Sequence, residues 1–217
     1  MLVFFIFTVG CSVGSFLGLV TDRWYSKDSI IWGRSRCNSC QRVLTWKQLV
    51  PLFSQLIFKS RCFYCQARFS YSYFFLEFLT GVLFVAAWFD LDFLHFWTLL
   101  LSLLLSKFDI DSFSYPLSLG LFFAGIFFLC FPSNAWTYFW LGLAYFSYFF
   151  DIKIGAGDFL WLFLASFSLS LNQLLSLIQI ACILGLCFLL IKKERKLPFI
   201  PFLSLAYLIV ILLPQIQ

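Results

Sequence analysis

The sequence predicts an all-α polytopic membrane protein of about eight transmembrane helices, with a small cytoplasmic domain after the first helix. Three observations carry this. Only 12% of the 217 residues are charged and 62% are hydrophobic, with a mean hydropathy of +0.94, whereas a soluble domain carries roughly 25% charge. Eight apolar runs follow one another with a single long gap, residues 21–71. The 15 Lys and Arg residues cluster in a few places, and their distribution says more than the net charge of +5.

A span needs roughly 20 apolar residues, fewer where other helices shield its ends. The runs are 2–20, 72–89, 93–107, 115–131, 135–150, 156–171, 174–191 and 199–213. Residues 1–20 have no basic n-region and no small-x-small cleavage site before Asp22, so they read as a retained first span and not as a signal peptide. Residues 21–71 form the cytoplasmic domain, and 72–217 a membrane-embedded domain with seven helices. Nine of the 15 basic residues fall in 21–71; the others are Lys107, Lys153, Lys192, Lys193, Arg195 and Lys196. With eight spans and the N-terminus outside, all 15 lie on the cytoplasmic side and the outer gaps hold none, as the positive-inside rule requires. Dropping one span would scatter them to both faces.

An ionisable residue at the edge of a membrane is a functional-site hypothesis by default. Asp158 in Gly155-Ala156-Gly157-Asp158 opens the sixth run, and Asp109 in Phe108-Asp109-Ile110-Asp111 follows the third. The topology puts both at the cytoplasmic ends of their helices, at one depth. Two neighbouring carboxylates share a proton. The ionised one activates a water and the protonated one donates to a carbonyl, which is peptide hydrolysis without metal or covalent intermediate. Gly155 and Gly157 would let a substrate backbone approach and give a tight helix entry. The plainer reading is that Asp158 caps its helix. Asp111 points away from Asp109 on a helix, and Asp151 sits in the interface near Lys153.

Cys37-Asn38-Ser39-Cys40 and Cys62-Phe63-Tyr64-Cys65, 21 residues apart, have zinc-ribbon spacing: two knuckles and four thiolates complete a structural zinc site. A reducing cytoplasm disfavours disulfides, and metal would supply the folding energy of so small and basic a domain. Redox-active thiols are the alternative. Cys11, Cys130, Cys182 and Cys187 lie in spans and read as small hydrophobes. His95, the single histidine, falls at the outer end of the third span, which argues against a Ser-His or Cys-His hydrolase. Glu77 lies within the second span; it contacts a substrate amine or pairs with a basic residue of the domain. Lys192 to Lys196 is a basic cluster that sets topology and meets anionic lipid. No basic-aromatic face points to nucleic acid.

Together and in this order, these residues resemble the type IV prepilin peptidase family. Gly14-Ser15-Phe16-Leu17 looks like its G-S-F-L-N, and the two cysteine pairs look like its knuckles. Leu44-Thr45-Trp46 and Val50-Pro51-Leu52-Phe53-Ser54 follow its L-x-W and I-P-L-x-S segments. Tyr73 to Gly81 is similar to Y-P-x-x-E-x-x-T-G, and Asp109-Ile110-Asp111 with Pro116 to D-x-D-x-x-x-x-P. Gly155 to Asp158 matches GxGD, and Pro198 to Phe202 resembles P-F-G-P-F. The chain departs from these patterns at Gly18, Phe74, Lys47, Leu117 and Leu160. The resemblance implies a bifunctional bacterial cell-membrane enzyme. It removes the basic leader of prepilin-like proteins with Asp109 and Asp158 at the cytoplasmic side, then methylates the new N-terminus with S-adenosylmethionine. The short chain and Phe-rich spans look most like Gram-positive versions that process competence pseudopilins. The competing readings are a non-catalytic membrane scaffold whose zinc loop docks a partner, and a transporter with the two Asp as proton carriers.

Overall fold

The computed structural model describes residues 1–26, 28–114, 116–150, 155–192 and 197–213. Lys27, Asp151, Lys153 and residues 193–196 of the basic cluster lie outside the described residues. Among the described residues ten helices follow one another: α1 (Leu2–Ser26), α2 (Trp46–Leu49), α3 (Phe53–Ile57), α4 (Ser72–Phe89), α5 (Phe93–Ser112), α6 (Leu117–Cys130), α7 (Ala135–Phe149), α8 (Ala156–Ala165), α9 (Leu171–Lys192) and α10 (Ile200–Leu212). Among the described residues the only β-type pairings are two isolated bridges, Arg36 with Val43 and Arg61 with Arg68. The chain is all-α, and eight of its helices lie on the eight predicted runs. Four are long and apolar enough to cross a membrane: α1 over Leu2–Trp24, α4, α5 and α9. The others are shorter, from 15 residues in α7 to ten in α8.

Residues 1–96 and 97–217 form two compact units. In the first, α1 packs along α4. Gly10, Gly14 and Gly18 recur every four residues and so line one face of α1. A Cβ on Gly14 would sit 2.8 Å from Glu77 Cα, and one on Gly10 would sit 2.8 Å from Gly81 Cα. Small residues that let two backbones meet are the usual means of helix association in lipid. Gly14→Ala is therefore expected to destabilise the unit by about 1–3 kcal/mol, the range for overpacking, read as a lowered unfolding temperature in detergent.

In the second unit α8 is the buried element: every residue from Leu160 to Ala165 is buried, against α6 and α7. α9 and α10 pack as a pair. Pro116 fixes the entry to α6, the Asn134 N–H donates to Thr137 Oγ1 (2.6 Å) at the start of α7, and Pro201 stands in the first turn of α10. Many exposed residues of α6 and α9, among them Phe122, Leu129, Ile183 and Leu186, are apolar, as a lipid-facing surface needs.

α1 runs on to Ser26, six residues beyond its predicted run, and two further boundaries differ from the predicted runs for a local reason. α5 continues through Asp109 to Ser112, because Lys107 and Asp111 pair one turn apart and Ser112 Oγ donates back to the Phe108 carbonyl. α8 stops at Ala165, where the Ser166 and Ser168 hydroxyls donate to the Phe163 and Ala165 carbonyls and turn the chain into α9.

Candidate active site and metal centre

Asp109 lies in the last turn of α5 and Asp158 in the first turn of α8, both part-buried. The fold brings their carboxyls close enough to act on one another electrostatically. Asp109 Oδ2 accepts the backbone N–H of Ile200 at 3.0 Å, so the start of α10 holds one carboxylate oxygen from outside the pair. Among the described residues the Asp158 carboxylate accepts no hydrogen bond, so the plain capping reading gains nothing from a cap contact. Gly155, the N-cap residue, has φ −64°, a value any residue adopts. Its use is room: a Cβ there would sit 3.4 Å from Asp158 Oδ2. Gly157 is buried beside it. Asp111 is exposed and paired with Lys107, as its position two residues beyond Asp109 predicts.

Buried hydroxyls brace the same helices. Trp161 Nε1–H donates to Ser102 Oγ (2.9 Å), Ser106 and Ser204 share a hydrogen bond (3.1 Å), and Ser168 and Tyr207 share another (2.7 Å). Each fixes the register of α5, α8 and α10, and so of the ends that carry Asp109, Asp158 and the Ile200 N–H.

The cysteines sit in the first unit, in two knuckles of the same shape. In one, the Cys37 N–H donates to the Arg42 carbonyl and the Gln41 N–H to Cys37. In the other, Cys62 donates to Ala67 and Gln66 to Cys62. Gln41 and Gln66 both take positive φ, 57° and 58°, and Arg42 lies 5.3 Å over the Tyr64 ring, joining the knuckles. All four sulfurs lie within 4.8 Å of one another, with Cys37 and Cys65 at 3.7 Å and Cys40 and Cys62 at 4.0 Å. Zn–S bonds of about 2.3 Å at tetrahedral angles require S···S separations of about 3.8 Å, so the four could hold a metal ion such as zinc. The Cys37 thiol is drawn down to about 7: burial raises it, but the N–H groups of Cys40 and Ser39 outweigh burial. Cys65 goes up to about 11; the Ala67 N–H lowers it, and burial with the neighbouring sulfurs outweighs that. Four thiolates so close need a cation.

Glu77 is buried in α4, with 5% of its surface exposed. One carboxylate oxygen accepts the Leu52 N–H (2.8 Å) and Gln55 Nε2 (3.0 Å). The carboxylate is thus taken up inside the chain. Glu77→Ala leaves the Leu52 N–H without its acceptor, a loss of about 1–3 kcal/mol. Faster amide exchange in residues 46–57 is the expected result, with Glu77→Gln keeping an acceptor oxygen and restoring most of the protection.

Residues 8–91 match the family model described as Bacterial Peptidase A24 N-terminal domain. The chain is 44% identical over 82 residues to the prepilin leader peptidase/N-methyltransferase of Myxococcus xanthus, which covers 38% of this chain and 24% of that protein. It is 39% identical over 82 residues to the protein of the same description from Bacillus subtilis (38% and 33%). A type 4 prepilin-like proteins leader peptide-processing enzyme of Escherichia coli is 33% identical over 96 residues (36% and 36%). Over this segment the chain is similar to the N-terminal domain of bacterial A24 peptidases and to prepilin-processing enzymes. It spans about a quarter to a third of the length of these curated relatives. No solved structure matches.

The matched segment contains most of α1, both knuckles, α2, α3 and α4, with Gly14, Glu77 and the four cysteines. Asp109 and Asp158 lie beyond it. The contacts that sequence reasoning did not find are the Ile200 N–H on Asp109 and the Leu52 N–H on Glu77. Both donors are backbone groups, for which no side-chain pattern exists. Only the neighbouring prolines, Pro198, Pro201 and Pro51, hinted that those stretches hold a fixed shape.

Proposed function

We propose that this protein is a membrane aspartic endopeptidase that removes the basic leader from prepilin-like or pseudopilin proteins at the cytoplasmic face of a bacterial membrane. What supports the reading is the electrostatic coupling of Asp109 and Asp158, at the ends of α5 and α8, in a chain whose residues 8–91 are similar to the Bacterial Peptidase A24 N-terminal domain. One carboxylate, ionised, takes a proton from water as it attacks the scissile carbonyl; the other, protonated, donates to the carbonyl oxygen. The Ile200 N–H orients Asp109. Gly155 and Gly157, which flank Asp158 in the chain, are the proposed place of approach for a substrate backbone. Glu77, already bonded within the chain, is left out of the substrate contacts.

Zinc held by Cys37, Cys40, Cys62 and Cys65 is structural in this reading; four protein ligands leave no open position for substrate. N-methylation of the new N-terminus, with S-adenosylmethionine as donor, rests on the resemblance and on the relatives' descriptions. The basic residues on one side of the membrane support the cytoplasmic site, since a substrate helix with a basic leader keeps that leader on the same side. Mass spectrometry of a co-expressed prepilin-like protein tests the reading. The expected product lacks its leader and carries an added methyl. A product with its leader intact rejects the peptidase, and a cleaved but unmethylated one rejects only the second activity.

A further inference from the structure

The two short helices of the first unit expose an unusual surface. Trp46, Leu49, Val50, Phe53, Leu56 and Ile57, from α2, α3 and their junction, are all exposed, Trp46 at 72% and Ile57 at 70%. α2 and α3 pack on one another, so these side chains belong to one hairpin. Six large apolar residues together in water would be an exposed patch of the kind that marks an interaction site.

We propose that residues 46–57 lie in the bilayer interface, with these six side chains against lipid. Depth is the first argument. The hairpin is bonded through the Leu52 N–H and Gln55 to Glu77, five residues into α4 and so about 8 Å along that helix from its start. Glu77 Cα is also where a Cβ on Gly14 would strike. Gly14 lies eight residues before Asp22, about 12 Å inside the last charged positions of α1. Both α1 and α4 are long and apolar enough to cross a membrane. A segment tied to them at that level stands beside the membrane's edge, not beyond it. Backbone groups of its second half are paired, which suits such a place: the Ser54, Leu56 and Phe58 N–H groups donate to Val50, Leu52 and Ser54 carbonyls.

Charge is the second argument. Lys47 and Lys59, both exposed, flank the apolar face, with Lys47 Nζ 5.6 Å from the Trp46 ring centroid. An apolar face of Trp, Phe and Leu with lysines at its rim is the pattern of a segment resting among anionic headgroups. The inference stands apart from the peptidase reading, because none of these residues belongs to the aspartate site.

The test uses the full chain in vesicles of phosphatidylethanolamine and phosphatidylglycerol. The photoreactive residue benzoylphenylalanine replaces Trp46, Phe53 or Ile57, one at a time, and Asn38 at the exposed tip of the first knuckle. Irradiation and intact-mass measurement should give lipid adducts at the three hairpin positions and none at Asn38. Adducts to a second protein chain instead of lipid would overturn the proposal in favour of a protein-docking face, and equal adducts at Asn38 and Phe53 would overturn it too. Hydroxyl-radical footprinting of the unsubstituted protein in the same vesicles is a second measure. Trp46 should be protected; oxidation at the rate of free tryptophan would put the hairpin in water.

Discussion

Asp109→Asn and Asp158→Asn are each expected to lower leader removal by roughly 10²–10⁴-fold, the contribution of a positioned acid or base, with the protein still inserted in the membrane. The two carboxyls interact within one unit, and the proposed chemistry needs one proton shared between them. An amide at either position can neither activate water nor pass that proton on. Because the pair acts as a unit, the double variant should fall little further than either single one. Asp111→Asn should cleave normally, since Asp111 is paired with Lys107 on the exposed side. Quantitative mass spectrometry of a co-expressed substrate reads all four. An active Asp109 variant beside a dead Asp111 variant would remove the assignment.

Serine at Cys37, Cys40, Cys62 or Cys65 is expected to abolish binding of one zinc and to loosen residues 21–71. Structural zinc in finger-like sites contributes apparent energies of about 10–16 kcal/mol, well beyond any other interaction described in this domain. Among its described residues the segment holds the end of α1, two short helices and two isolated bridges, so little else would keep it folded. Metal analysis and limited proteolysis of the purified protein check this; a protease-resistant segment in chelator would reject it. Binding releases thiol protons, so falling pH weakens the site, and chelator should act faster in acid than at neutral pH. Cys65, pushed up to about 11, has the most to lose to protons.

Much of this was legible because the sequence marks it with side chains. Paired Cys-x-x-Cys motifs specify thiolates at knuckle spacing, and the four sulfurs meet. The Gly-x-Gly-Asp and Asp-x-Asp stretches name the two candidate carboxylates, and the distribution of lysines and arginines leads to the expectation that they share one depth. Backbone donors were not legible: nothing in the letters of Ile200 or Leu52 says that its N–H faces a carboxylate. The end of α8 was also hidden. Hydropathy runs on through Phe167, Leu169 and Leu171, while the turn is made by serine hydroxyls at 166 and 168 bonding back to carbonyls. The glycines of α1 were visible as a motif, but their reason, the backbone of α4 at 2.8 Å from where a Cβ would stand, is a fact of packing.

The shortness of two helices in the second unit bears on the lipid itself. At 1.5 Å per residue, the 14 residues of α6 reach about 21 Å and the 13 of α10 about 20 Å, against a hydrocarbon layer of about 30 Å. Such mismatch is relieved by drawing the leaflets together or by side chains reaching outward, at fractions of a kcal/mol per ångström. A bilayer pinched around this unit brings headgroups and water toward the ends of α5 and α8. Acyl-chain length then becomes a variable in how wet the two carboxyls are.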